Sequence, residues 1–255
     1  ANALYSMGYN IYALFLLVST VGIPSAVARE VARYNTLGDE NMSYRLVRQM
    51  LGIMTLLGVL FAIIMSVFAG PLARLLGGST ALIPVIQSLS LAILLFPSMS
   101  VIRGYFQGLN QMKAYAMSQL CEQVIRIIWM LVTTFAIMKL GSHHWQSAVT
   151  QSTFAAFVGM LASYAVLLFY LYRSGNLKHL IHPGVAKSKI NPLQVMGETM
   201  RTAAPFIVLG SATQVSRLID NSTFMHFMPI FTNLSHGTLM SYLSYFSANT
   251  DKLTL

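Results

Sequence analysis

Three runs of this chain, residues 49–73, 75–102 and 140–172, contain no Asp, Glu, Lys or Arg. A helix needs about 20 mostly apolar residues to cross a hydrocarbon core about 30 Å thick, and water-soluble domains rarely go so long without a charge. The pattern predicts membrane-spanning helices over residues 5–27, 50–70, 81–102, 117–139, 149–172 and 203–225. From Met228 to Asp251 the chain is rich in Ser, Thr, Asn and Tyr, which reads as an outer loop leading into a further span. Backbone polar groups in lipid must be satisfied within the segment, and these runs are too long and too little alternating for barrel strands. The expected fold is an all-α membrane protein, a polytopic helical bundle of six transmembrane helices plus the start of a seventh.

Composition agrees, with 55% hydrophobic and 9% charged residues against about a quarter charged in an ordinary soluble domain. The net charge of +9 would suggest a nucleic-acid partner in a soluble protein. Here the positives lie in loops between spans, so no nucleic acid is expected. Alternate loops hold Arg29, Arg33, Arg45, Arg48, Arg103, Lys113, Arg173, Lys178, Lys187, Lys189 and Arg201, whereas the opposite side holds only Arg74, Lys139 and Lys252. The rich side is the cytoplasmic one, and the first span runs from outside to inside. A single cysteine, Cys121, leaves no internal disulfide. The first apolar run lacks the cationic start and small-residue cleavage site of a signal peptide. Both chain ends lie in or beside apolar sequence, and the chain is expected to be a piece of a longer protein.

The loop from Tyr172 to Arg201, with Gly175 and His182-Pro183-Gly184, is the expected boundary between two lobes. Residues 1–172 then form most of an N-terminal lobe with five transmembrane helices, residues 173–201 a cytoplasmic inter-lobe loop, and residues 202–255 the first helix of a C-terminal lobe with its outer loop. Within the loop, Asn176–His182 is patterned to lie flat at the interface, leucines down and cations up.

Only two spans carry ionised groups well inside their ends. Glu122 and Arg126 are four apart on the fourth, in the order that favours a pair, and Arg217 and Asp220 are three apart on the sixth. A charge at mid-bilayer costs at least about 2.5 to 3.5 kcal/mol on insertion scales, so all four must face each other or a wet cavity. Two readings follow: structural pairs that lock helices, or the lining of a route. Arg126 lies about 14 Å into its span and Arg217 about 21 Å into its own, counted at 1.5 Å per residue. Helix breakers accompany the charges. Gly22 and Pro24 near the end of the first span and Pro97 in the third are candidate hinges, since proline removes an amide bond. Gly104 and Gly108 permit close backbone contact.

No P-loop, His-Glu-x-x-His or Gly-x-Ser-x-Gly motif occurs, so no enzyme, cofactor or metal is expected. The histidines lack Cys or carboxylate companions and read as loop residues. Trp129 is expected to fill the core.

Two stretches carry a family resemblance. They are Val21–Asn35 (Val-Gly-Ile-Pro-Ser-Ala-Val-Ala-Arg-Glu-Val-Ala-Arg-Tyr-Asn) with Gly38-Asp39, and Arg103–Met112 (Arg-Gly-Tyr-Phe-Gln-Gly-Leu-Asn-Gln-Met) followed by Ser118–Arg126. They resemble the polysaccharide biosynthesis (polysaccharide transporter) family, in its stage V sporulation protein B-like and lipid II flippase-like branch. That family lies in the multidrug/oligosaccharidyl-lipid/polysaccharide exporter superfamily. The chain departs from the pattern at Lys113-Ala-Tyr-Ala116, where such proteins usually carry a proline. The resemblance implies a two-lobed transporter of about 14 helices around a central cavity in the bacterial cytoplasmic membrane. It implies a cargo with an undecaprenyl tail, a pyrophosphate and a sugar head, moved across the membrane by alternating access.

A diphosphate in a low-dielectric cavity calls for cations, and arginine offers a planar fork to phosphate oxygens. The substrate-binding candidates are Arg126 and Arg217, with Arg29 and Arg103 at the cytoplasmic mouth. Glu122 and Asp220 hold the arginines in the empty cavity or, alternatively, bind a coupling ion. Gln119, Gln123 and Gln214 face sugar hydroxyls. The expected function is a flippase for a lipid-linked cell-wall or polysaccharide precursor. A cation-coupled multidrug antiporter of the same superfamily and a non-transporting scaffold for wall synthesis are the alternatives.

Overall fold

The computed structural model describes residues 8–9, 12–13, 16, 22–75, 80–140, 145–182, 184, 192–232 and 236–243. Its elements are α1 (Ile23–Thr36), α2 (Glu40–Val67), α3 (Ala69–Leu75), α4 (Leu82–Gly108), α5 (Met112–Phe135) with a π turn (Ala136–Leu140), α6 (Trp145–Arg173), α7 (Asn176–Ile181), α8 (Pro192–Phe231) and α9 (His236–Leu243). No strand occurs among the described residues. Four helices, Glu40–Val67, Leu82–Gly108, Met112–Lys139 and Gln146–Arg173, are long and apolar enough to cross a membrane. They cover the second to fifth expected spans. The first falls largely outside the described residues, and the sixth lies within α8.

One boundary differs from expectation. The first span was to continue through Pro24, but Gly22 is left-handed (φ 81°) and a new helix, α1, starts at Ile23. Pro24 then occupies the first turn, where an amide hydrogen has no intrahelical acceptor to lose. Thr20, whose carbonyl the proline was expected to free, lies outside the described residues. Pro97 sits inside α4 and is buried. Beside it, the hydroxyls of Ser98 and Ser100 donate to the carbonyls of Leu95 and Pro97 at 2.9 and 2.6 Å.

Helix α4 is the centre of the bundle, packed against α1, α2 and α6. Its sequence explains this placement. It is apolar around its whole circumference, a pattern that demands burial on all sides, and its polar residues are mostly serines that hydrogen-bond locally. Ser88 pairs with Thr153 of α6 at 2.6 Å and Ser90 with Ser66 of α2 at 2.7 Å. Small residues bring the backbones together, as between helices in lipid. A Cβ on Gly104 would stand 2.6 Å from the Pro24 carbonyl, one on Gly108 2.6 Å from that of Ala28, and one on Gly58 2.6 Å from that of Leu94. The Arg103–Gly108 segment is therefore the seat of α1.

Helix α5 contributes little to this core. Leu120, Val124, Ile127, Leu131, Val132 and Phe135 are exposed along it, while its other face lies on α6. Trp129 belongs to the exposed set and leans on Phe154 of α6, ring centroids 6.3 Å apart, rather than filling the core as expected. In a membrane protein an apolar outer face is compatible with lipid or further helices, so apolarity does not place a tryptophan inside.

The basic loop after α6 contains α7. Leu180 is buried there against the rest of the protein while Lys178 and His179 are exposed. Tyr44 of α2 donates to Asn176 Oδ1 at 3.2 Å and stacks on His179 at 5.4 Å, and Arg48 donates to the Ile181 carbonyl at 2.8 Å.

Candidate functional site

Two turns of α5, the end of α4 and the middle of α6 bring their polar side chains to one point. Arg103 of α4 donates through Nη2 to Glu122 Oε2 at 2.7 Å and to Ser163 Oγ of α6 at 2.9 Å, and through Nε to Ser118 Oγ at 3.1 Å. Arg126 donates through Nη2 to the other carboxylate oxygen, Glu122 Oε1, at 2.5 Å. The i, i+4 pair expected within α5 is therefore formed, and Arg103 is a partner that helix spacing does not reveal. Gly159 permits the assembly: a Cβ there would lie 2.7 Å from the Glu122 carbonyl oxygen and 3.2 Å from Arg126 Cβ, so α6 could not close on this part of α5.

Burial differs sharply within the cluster. Arg103 is 7% exposed and Glu122 4%, with Ser118 and Ser163 fully enclosed. The Arg126 side chain keeps 29% of its surface accessible, yet its Nε is buried with no hydrogen-bond partner. An isolated buried charge is expensive, and a carboxylate shared by two guanidinium groups answers that cost with charge-assisted hydrogen bonds on both oxygens. Three charges then sum to one net positive. Arg103 gives Nε and Nη2 to protein oxygens. Arg126 retains accessible surface, so a ligand reaching this cluster meets Arg126.

The other candidates are dispersed. Arg29 was grouped with Arg103 at the cytoplasmic mouth, but the structure parts them: Arg103 turns into the bundle while the Arg29 side chain is 56% exposed on α1. Arg29 Nε lies 3.3 Å from Glu30 Oε1 and Arg33 Nη1 3.5 Å from Glu30 Oε2. Glu30 is itself buried, so a second enclosed glutamate is shared by two arginines, a feature absent from the sequence-based candidates. Its signal was the Arg-Glu-x-x-Arg spacing of residues 29–33. Asp220 is exposed on α8 and the Arg217 side chain lies outside the described residues, as does that of Gln214. Gln119 and Gln123 are exposed on α5, one turn from the cluster. Among the described residues no group of His, Cys, Asp and Glu is arranged to hold a metal.

Residues 2–233 match the family described as "Polysaccharide biosynthesis protein". The chain belongs to that family. Among curated members, it is 34% identical over 232 residues to the lipid II flippase MurJ of Bacillus subtilis (strain 168), an alignment covering 88% of this chain and 43% of the relative. It is 29% identical over 234 residues to the stage V sporulation protein B of the same organism, covering 89% of this chain and 41% of the relative. The uncharacterized membrane protein YabM, also from that organism, is 25% identical over 171 residues, 67% of this chain and 31% of its own. The chain thus spans less than half the length of the curated relatives it matches. No solved structure matches it significantly. Like these members of the polysaccharide biosynthesis family, it is a multi-pass protein of the bacterial cell membrane.

Proposed function

We propose that the protein is a flippase that carries a lipid-linked, pyrophosphate-bearing sugar precursor across the cytoplasmic membrane, without covalent chemistry on it. The single supporting observation is the Arg126 side chain, held by the buried Glu122 inside a helix bundle while 29% of its surface stays accessible. Phosphate oxygens fit such a group, since each charge-assisted bond counts for more in a low-dielectric site than in water. The name of the relative in Bacillus subtilis, a lipid II flippase, supports the same cargo class. In this reading Glu122 aims Arg126, and Arg103 fixes Glu122. Arg29, with Arg33, presents exposed positive charge at the cytoplasmic face, where an anionic head group arrives first. Arg217, on α8, is the second proposed phosphate ligand, with Asp220 supporting it or taking a coupling ion. Residues 1–172 belong to one lobe, 173–201 link it to the next, and 202–255 open the second; alternating access is motion between lobes.

The test is a flipping assay with the full-length protein in proteoliposomes containing fluorescent lipid II. Wild type is expected to expose the label to an external quencher faster than protein-free vesicles, and Arg126→Ala to abolish the gain while still reconstituting. Equal rates for wild type and empty vesicles, or full activity in Arg126→Ala, reject the reading.

A further inference from the structure

After α6 the chain turns back onto the bundle instead of leaving it. Gly175 adopts a left-handed conformation (φ 74°), and α7 then lies against α2. Three α2 residues, Asn41, Tyr44 and Arg48, receive it; their spacing of three and four puts them on one helix face. An added Cβ on Gly184 would stand 3.0 Å from the Asn41 amide. Tyr44 donates to Asn176 Oδ1 at 3.2 Å and stacks on His179, and Arg48 donates to the Ile181 carbonyl at 2.8 Å. Leu177 and Leu180 pack toward the core. This fastening is mostly polar, and the Arg48 bond is open to water. Water competes for such bonds, so each contributes little net stability.

Beside the fastening lies a group that opposes it. Tyr105 of α4 is 1% exposed, and its hydroxyl is closed to solvent and meets hydrogen-bond geometry with no protein atom. Its ring centroid lies 6.2 Å from that of Tyr44, so Tyr44 contacts a ring of α4 as well as one of α7. A buried hydroxyl left unbonded carries its full desolvation cost, and native structures keep few such groups, some of them as stores of strain. The two tyrosines line one polar hollow with Glu40, Gln111 and Asn176. While α7 holds Tyr44 by Asn176 and His179, Tyr105 stays sealed. When α7 lifts, Tyr44 is free to turn, and the Tyr105 hydroxyl meets water or an oxygen of the hollow. A permanent weld would bury its own bonds and leave no such opposing cost beside them.

We propose that α7 is a releasable strap, fastened to α2 in this conformation and poised to lift because closing it leaves the Tyr105 hydroxyl unpaired. The strap stands on these contacts alone. Its part in transport rests on the proposed flippase reading, in which α7 belongs to the connection between lobes and must leave α2 for the lobes to exchange forms.

The experiment uses the full-length protein in nanodiscs and follows tryptic cleavage at Lys178, which requires α7 to open. Asn176→Ala, which removes a tether, is expected to speed cleavage about fivefold, and Tyr105→Phe, which removes only the unbonded hydroxyl, to slow it about fivefold, each the equivalent of one hydrogen bond. The melting temperature of Tyr105→Phe should not fall, whereas a variant that merely loosened the core would melt earlier and be cut faster. In a Cys121→Ser background, Asn41→Cys with Gly184→Cys should form a disulfide that stops lipid II flipping in proteoliposomes until it is reduced. Unchanged or faster cleavage in Tyr105→Phe overturns the proposal, and so does flipping at the unlocked rate with the disulfide formed. If the unlocked protein does not flip lipid II at all, the flippase reading falls and the proteolysis alone judges the strap.

Discussion

Arg103 on α4 and Glu122 on α5, nineteen positions apart, meet at 2.7 Å in the interior of the bundle. This contact makes Glu122 a junction between three helices rather than half of an intrahelical pair, because Ser163 of α6 bonds the same guanidinium nitrogen at 2.9 Å.

Arg103→Ala will destabilise the protein more than Arg126→Ala. Removing one partner of a buried pair costs about 3 kcal/mol or more, and here it also strips Ser118 and Ser163 of their donor. Arg126 is partly exposed, so its loss costs well under that figure while stopping transport. Thermal unfolding of the detergent-solubilised variants, run beside the flipping assay, checks the order. Arg103→Lys will not recover the lost stability, since an ammonium cannot serve three oxygens in the guanidinium plane.

Reversing the pair on α5, Glu122→Arg with Arg126→Glu, separates a purely structural bridge from an oriented site only if the bridge has two members. It has three. The reversed pair places an arginine against buried Arg103, and like charges there are expected to abolish the monodisperse peak in fluorescence-detected size exclusion. Adding Arg103→Glu to the same variant restores opposite charges and should recover the peak but not flipping.

Gly104→Ala and Gly52→Ala are predicted to move stability in opposite directions. At Gly104 the new Cβ meets the Pro24 carbonyl at 2.6 Å, an overpacking expected to cost about 1 to 3 kcal/mol. At Gly52, in the interior of α2, a Cβ meets nothing within 4 Å, and replacing a helical glycine should gain about 0.5 to 1 kcal/mol. Paired melting curves decide.

Tyr44→Phe and Arg48→Ala each remove one tether of α7. Each is expected to speed tryptic cleavage at Lys178 about fivefold, the factor that corresponds to losing a hydrogen bond of about 1 kcal/mol. Mass spectrometry of a cleavage time course reads it.

Much of the architecture was legible in the chain. Charge-free runs of helical length have no other outcome in lipid, which is why three of the four described spans fall where the gaps at 49–73, 75–102 and 140–172 put them, the fourth, Met112–Lys139, being the one that carries Glu122 and Arg126. That Gly104 and Gly108 allow close backbone approach was readable too, from small residues four apart, although not that α1 is what approaches. What escaped were relationships set by packing between helices. Nothing local in the sequence says that Arg103, written at the end of a span, bends inward to Glu122 instead of joining Arg29 outside. Likewise Trp129 looked like core because it is large and apolar, and hydropathy does not separate a face toward a neighbouring helix from one toward lipid. The break at Gly22 was half readable: Gly-Ile-Pro announces an interruption, but not that Pro24 opens a new helix rather than bending an old one.

Helix α4 touches α1, α2 and α6 through serine pairs and glycine contacts spread along its length, so none of these neighbours can slide past it without separating atoms already at closest approach. Such a unit answers a push as one block. For the proposed flippase, cross-links between α4 and α1, α2 or α6 should therefore leave transport running, while links across the 173–201 connection between the proposed lobes arrest it.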